Sequence, residues 1–180
     1  MEKISYAKTV YGRAEIDAVV KCLEEGTQMG ANSRKFEASI AKLFDKKDCL
    51  YVNSGSSALY IGIESFDFPE GSEVITPALT FGTTIGCIVK NNLVPVFVDV
   101  EPLTYCIDAG QIESMITDKT VAILAPDLLG NLCDWARIRE IADKHGLKVI
   151  QDSADTLGAT INGVSSGVYS DMSITSFYGC

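Results

Sequence analysis

From Cys49 onward, short apolar runs alternate with helical stretches, and this alternation constrains the fold more than any other feature of the chain. The runs are Cys49–Val52, Glu73–Thr76, Pro95–Val98, Val121–Ala125 and Leu147–Ile150. Between them, helical spacing occupies 56–65, 82–91, 108–117 and 134–145, with Asp108 and Asp134 placed to cap the last two. A run that is apolar throughout predicts a strand buried on both faces, as in a parallel sheet. The β-α-β-α order predicts a layered α/β domain, a mostly parallel sheet with helices on both faces. Ala159–Asn162 and Met172–Ser176 read as two further strands, joined by the turn-rich Gly163–Gly167.

Residues 1–48 read as an N-terminal helical segment ahead of that domain. Ile16, Val19, Val20 and Leu23 share one face of a helix over 13–25 that Gly26 stops. Ser33 is expected to cap a second helix with Phe36, Ile40, Leu43 and Phe44 on one face.

Composition closes off several classes. With 47% hydrophobic and 22% charged residues, the chain suits a soluble globular domain. No apolar run reaches the roughly 18 residues that span a bilayer, and the N-terminus lacks a secretory core, so the cytoplasm is the expected compartment and no membrane partner is expected. The formal net charge is −9 and the basic residues are dispersed, which argues against nucleic acid as a partner. Cys22, Cys49, Cys87, Cys106, Cys133 and Cys180 form no C-x-x-C pair and have only His145 beside them as a further soft ligand. They are expected to be reduced apolar fillers rather than a metal or disulfide framework. His145 reads as a favourable charge at a helix end and Trp135 as packing.

In open α/β sheets, ligands bind beyond the carboxyl ends of the strands, so the segments after each run are the candidates. Asn53-Ser54-Gly55-Ser56-Ser57 leads into a helix. Gly55 lets the backbone come close to a ligand, and Ser56 and Ser57 add N–H groups and hydroxyls at the helix start, which suits a phosphate. A ligand-free serine cap is the alternative. Phe81, in the loop after Thr76-Pro77, could stack on a planar ring or fill the core. Asp152 ends a strand, where a carboxylate can meet a ligand, cap a loop or bind a metal. Asp99 reads as a turn former.

Taken together these residues resemble the DegT/StrS-type nucleotide-sugar aminotransferases and their dehydratase relatives, which are fold type I pyridoxal-phosphate (PLP) enzymes. The resemblance runs from about Gly30 to Cys180 and implies the first part of a three-layer PLP-binding large domain over 49–180, without the C-terminal small domain. It places Ser54-Gly55-Ser56-Ser57 at the cofactor phosphate and Phe81 on the ring. It places Asp152 at the pyridine nitrogen, which a carboxylate keeps protonated, Asp155 near the ring hydroxyl, and Ser176, of the Ser176-Phe177 pair, at the phosphate. The family's Schiff-base Lys lies five residues after that Ser, at position 181, one past Cys180. The chain therefore reads as a fragment that is inactive by itself, and no catalytic residue is assigned within it.

Ser56 stands where most aminotransferases of the family carry Thr, and Asp155 where they carry Gln. With Leu93–Asp99, Leu129-Gly130-Asn131, Ala154–Gly158 and Ser176-Phe177-Tyr178, these residues look more like the 3-dehydratases. Those enzymes use pyridoxamine phosphate (PMP) on CDP- or GDP-linked 4-keto-6-deoxyhexoses, with His in place of Lys. A Lys would recapture the cofactor and favour amination, whereas a His does acid–base work near neutral pH. Some of these dehydratases carry an iron–sulfur cluster, for which the cysteines here lack compact spacing. The resemblance implies a nucleotide-linked keto-sugar as substrate and a homodimer. The rival readings are a glutamate-dependent keto-sugar aminotransferase and a non-enzymatic α/β binding module.

Overall fold

The computed structural model describes residues 10–178. Its centre is a five-stranded, all-parallel sheet in the order β2-β1-β3-β4-β7. The strands are β1 (Glu73–Pro77), β2 (Val94–Val98), β3 (Thr120–Pro126), β4 (Lys148–Ser153) and β7 (Met172–Thr175). A separate antiparallel hairpin, β5 (Thr160–Ile161) and β6 (Val164–Ser165), precedes β7. Its two-residue turn is Asn162-Gly163, both at positive φ (52° and 80°), a conformation Asn and Gly adopt most readily.

Alternation along the strands builds the layers. Val74 of β1, Ala122 and Leu124 of β3, and Ile150 of β4 face α3 (Gly55–Glu64) and α4 (Gly82–Lys90), packing with Leu59, Ile63 and Ile88. The next residues along, Ile75, Ile123, Ala125 and Val149, face α5 (Ala109–Ile112) and α6 (Trp135–His145) and pack with Ile112, Trp135 and Ile138. Each central strand is therefore apolar on both faces, which is why its sequence shows a run rather than an alternation. The fold is the expected three-layer α/β arrangement.

Three strand and helix expectations are corrected. Cys49–Val52 is not a strand. A strand needs a neighbour's ladder, and here the Tyr51 N–H donates instead to Glu37 Oε1 (2.9 Å) while Leu50 is 70% exposed. The helix expected at 108–117 is a single α turn, α5, continued by a 3₁₀ turn at Glu113–Met115. The second N-terminal helix, α2 (Ala31–Leu43), starts ahead of Ser33, from an extended Gly30 that offers no side-chain cap. Asp108 and Asp134 cap as expected, accepting from the N–H groups of Gly110 (2.9 Å) and Arg137 (3.1 Å).

Helix α1 (Arg13–Glu25) buries none of its residues, while α2 is sewn to the domain at its C-terminal end. Phe44 is buried, Lys46 Nζ donates to the carbonyls of Gly167 (2.7 Å) and Ser170 (2.5 Å), and Ser165 Oγ donates to the Leu43 carbonyl (2.9 Å). Among the described residues no helix is long and apolar enough to cross a membrane.

Asp171 holds the start of β7. Its carboxylate accepts from the Val149 N–H (2.8 Å) and pairs with Arg139 (3.0 Å) and Lys148 (3.6 Å). Burial alone would raise its pKa, but the Val149 N–H and Arg139 outweigh burial and bring it below the ordinary value of 3.8. A lowered native pKa means stability that is present above the unfolded value and lost as pH falls through the native one. The thermal midpoint is expected to drop as pH falls below about 4, and Asp171→Asn, costing about 1 kcal/mol at neutral pH, to flatten that dependence in a melting series.

Candidate cofactor site

The chain runs from β1 outward to β2 and then returns to place β3 on the other side of β1, so the strand order reverses between β1 and β3. Ligand sites of open sheets lie beyond the carboxyl ends near such a reversal. The segments after β1, β3, β4 and β7 and the N-terminus of α3 all gather at that end.

Helix α3 opens the site. Ser54 is its N-cap: its Oγ accepts from the Ser57 N–H (3.1 Å) and donates to Ser57 Oγ (3.0 Å). The first-turn N–H groups of Gly55 and Ser56 have no intrahelical carbonyl to bond and sit at the positive end of the helix dipole. Ser176, just past β7, closes against them. A Cβ added to Gly55 would stand 3.0 Å from Ser176 Cβ and 3.2 Å from its Oγ, so the absence of a side chain at 55 keeps the cradle open. Beside it a cavity of about 540 Å³ is lined by Tyr51, Asn53, Gly55, Met172, Ser176 and Phe177.

Asp152 sits at the end of β4, 5% exposed, in no ion pair among the described residues. Its Oδ1 accepts from the Ala154 N–H (3.2 Å) and its Oδ2 from the Thr84 hydroxyl (3.1 Å). Burial pushes its pKa above the ordinary carboxylate value, and the charges of Asp155 and Asp127 add to that, against the Ala154 and Thr84 donors. Such a group favours a cationic donor. Phe81 is the N-cap of α4 and is 71% exposed, so it does not fill the core of the described domain. The hydroxyl of Thr80 beside it is buried without a partner.

Asp155 is exposed and links two loops. Its Oδ2 accepts from the Leu129 N–H (3.1 Å), in a turn where Leu129 takes φ 56°, and its Oδ1 accepts from the Tyr178 hydroxyl (2.8 Å). The Tyr178 N–H in turn donates to Ser176 Oγ (3.3 Å), which joins Asp155 to the α3 cradle. All seven candidates, Gly55, Ser56, Ser57, Phe81, Asp152, Asp155 and Ser176, thus lie at one end of the sheet. Thr84 joins them without having been singled out, and Ser54, Leu129 and Tyr178 join them from stretches already noted for the phosphate or for the dehydratase likeness. Ser54 carried a local signal, a cap residue three before Ser57, whereas Thr84 and Leu129 meet their partners only through tertiary packing.

Behind the site lies a buried polar network. Asp127 is fully buried and accepts from the Trp135 indole (2.8 Å), the Cys133 N–H (3.0 Å) and the Gln151 amide (2.7 Å). Gln151 also reaches Ser166 (2.9 Å) and accepts from Ser173 (2.8 Å). The Asp127 N–H donates to the Asp152 carbonyl (2.9 Å), so the network fixes the backbone of β4 where the candidate carboxylate emerges. His145 lies far from this end, with Nε2 2.9 Å from Glu113 Oε1. His145 and Lys144 together push the Glu113 carboxyl down to about 2, a surface pairing at the end of α6.

The description "DegT/DnrJ/EryC1/StrS aminotransferase family" matches residues 10–180. The chain is 39% identical over 168 residues to a dTDP-4-dehydro-2,6-dideoxy-D-glucose 3-dehydratase of Saccharopolyspora spinosa, covering 89% of this chain and 36% of the relative. It is 33% identical over 181 residues to a GDP-perosamine synthase of Caulobacter vibrioides, covering 99% of this chain and 49% of the relative. A solved GDP-4-keto-6-deoxy-D-mannose-3-dehydratase of E. coli, with bound hydrated PLP, superposes with a TM-score of 0.82 at 30% identity over 88% of this chain and 42% of that one. The chain therefore spans half or less of the length of these proteins.

Proposed function

Since this chain belongs to the DegT/DnrJ/EryC1/StrS aminotransferase family, we propose that it forms the cofactor-binding part of a PLP- or PMP-dependent enzyme that dehydrates a CDP- or GDP-linked 4-keto-6-deoxyhexose at C3. Residues 49–180 are taken as the first part of its large domain. The observation that carries the reading is Asp152, a buried carboxylate with no cation partner among the described residues, beside an open helix-start cradle and an exposed aromatic residue.

The residues fit the cofactor. The N–H groups of Gly55 and Ser56 and the hydroxyls of Ser57 and Ser176 would hold its phosphate. The Phe81 ring would lie against the pyridine face, and Asp152 would accept from the ring nitrogen. The cofactor supplies an electron sink for the substrate carbon next to the imine nitrogen. Asp152 would keep the ring nitrogen protonated, and Asp155 with Tyr178 would present a polar edge where aminotransferases of the family carry Gln. Dehydration over amination is supported by that carboxylate and by the 39% identity to a relative named as a 3-dehydratase. The aminotransferase reading is supported by the perosamine synthase, which aligns over almost the whole chain. The same proposal takes the protein as a homodimer, for which the exposed apolar stripe Ile16, Val19, Val20 and Leu23 on α1 offers a surface.

Two experiments test it. Titrating the chain with PLP is expected to give a saturable absorbance change, and no binding would favour a non-enzymatic module. Reading the codon after Cys180 and assaying the product of the complete gene separates the chemistries. A His and a glutamate-independent, C3-deoxygenated product support dehydration, while a Lys and a glutamate-dependent amino sugar overturn it for amination.

A further inference from the structure

Asp152 owes its orientation to a residue on another element. Thr84 is fully buried at the third position of α4, where its neighbours offer its hydroxyl two choices. A helical Thr commonly bonds a backbone carbonyl one turn back. Here the single hydroxyl proton instead crosses to Oδ2 of Asp152 at 3.1 Å, a residue 68 positions away in the chain. The Thr84 N–H donates to the Phe81 carbonyl at 3.0 Å. One residue therefore touches both groups assigned above to the ring, the carboxylate through its side chain and the aromatic through its backbone.

We propose that Thr84 is a positioning residue for the cofactor ring: its hydroxyl fixes the plane of the Asp152 carboxylate, and its backbone ties the Phe81 turn to the same point. This rests on the reading of Asp152 and Phe81 given above. Each carboxylate oxygen of Asp152 accepts one protein donor, Thr84 on Oδ2 and Ala154 on Oδ1. An ionised carboxylate has about four acceptor sites, so room is left for a ring N–H. The start of α4 adds its dipole on the same side. Among the described residues no cationic group faces the carboxylate. Asp155 and Asp127 raise its pKa, and the nearby Cys87 thiol is itself pushed up to about 12 by burial and by Asp152, so it stays neutral. Thr84 is thus the side-chain donor that sustains this carboxylate among acidic neighbours.

The test compares Thr84→Val, which keeps the shape and removes the hydroxyl, with Thr84→Ser, which keeps the hydroxyl, and with Thr84→Ala should the Val variant fold poorly. Two quantities are read on the chain: the titration of the Asp152 carboxyl by ¹³C NMR without cofactor, and the affinity for PLP by absorbance, with Asp152→Asn alongside. Thr84→Val and Thr84→Ala are expected to move the Asp152 titration upward and to weaken PLP binding about tenfold, with Thr84→Ser close to wild type in both. An unmoved titration in both hydroxyl-free variants overturns the proposal. So does a moved titration with unchanged PLP affinity while Asp152→Asn loses binding. If Asp152→Asn binds PLP as wild type does, the cofactor reading itself has failed, and the role of Thr84 in it falls for that reason.

Discussion

Asp152→Asn is expected to weaken PLP binding by between roughly 30-fold and several thousand-fold, read as a rightward shift of the absorbance titration. The size follows from the site. Removing one partner of a buried, hydrogen-bonded charge pair costs about 2–5 kcal/mol, because the other charge is left without its counterpart in a low dielectric. Asp152 is buried and in no ion pair among the described residues, and its two oxygens already hold the Thr84 and Ala154 donors in place. The neutral amide can still occupy that space, so a far-UV spectrum like that of wild type separates lost binding from lost folding. An Asn variant that binds PLP with wild-type affinity would remove the pyridine nitrogen from Asp152.

The second large effect lies on the other side of the sheet. Gly167→Ala would place a Cβ 2.2 Å from the Phe44 carbonyl oxygen, 2.9 Å from its carbon and 3.1 Å from Phe44 Cα. These atoms are backbone and cannot rotate away. Overpacking a tight site costs about 1–3 kcal/mol when side chains can yield, and a backbone clash belongs at or above the top of that range. The same contact carries the Lys46 bonds to Gly167 and Ser170 and the Ser165 bond to Leu43, so the strain falls on the seam that joins α2 to the domain. A fall in Tm of roughly 6–12 °C is expected for a chain of this length. Gly86→Ala is the control with the opposite sign. Gly86 lies inside α4 with open space where its Cβ would be, and Ala there is expected to stabilise by about 0.5–1 kcal/mol. Equal effects from the two substitutions would show that the Phe44 contact carries no strain.

What the sequence made legible follows from how local each signal is. The central strands β1, β3 and β4 were readable because burial on both faces leaves an unbroken apolar run, and the caps at Asp108 and Asp134 because a cap acts within three residues. Cys49–Val52 has the same composition as those strands yet forms none, since pairing depends on a neighbour that composition does not contain. The seven candidate site residues follow strand ends or helix starts, positions that an α/β order marks in advance. Thr84 lies in the first turn of α4 and Asp127 and Leu129 just past β3, so position marks them as well, but it does not name their partners. Each is defined by a partner 24 to 68 residues away, in the bonds Asp127–Gln151, Leu129–Asp155 and Thr84–Asp152. The short hairpin was missed: the expected strand Ala159–Asn162 shrinks to Thr160–Ile161, Asn162 enters the turn, and the expected Gly163–Gly167 turn proves to be the returning strand Val164–Ser165 and a 3₁₀ turn at Ser166–Tyr169.

The buried bond from the Trp135 indole to Asp127 gives the molecule a built-in optical probe. The chain has one tryptophan, fully buried at the first position of α6, so its tryptophan emission comes from a single dry place with a carboxylate at the ring nitrogen. Emission should be blue relative to an exposed indole and should shift red only when α6 leaves the sheet. It carries no information about α1, which buries nothing. A chemical-denaturation curve followed by fluorescence therefore reports the α6 half of the domain, whereas one followed by circular dichroism averages every helix. Where the two curves separate, the difference reports melting of helices outside the α6 half, α1 to α4 together.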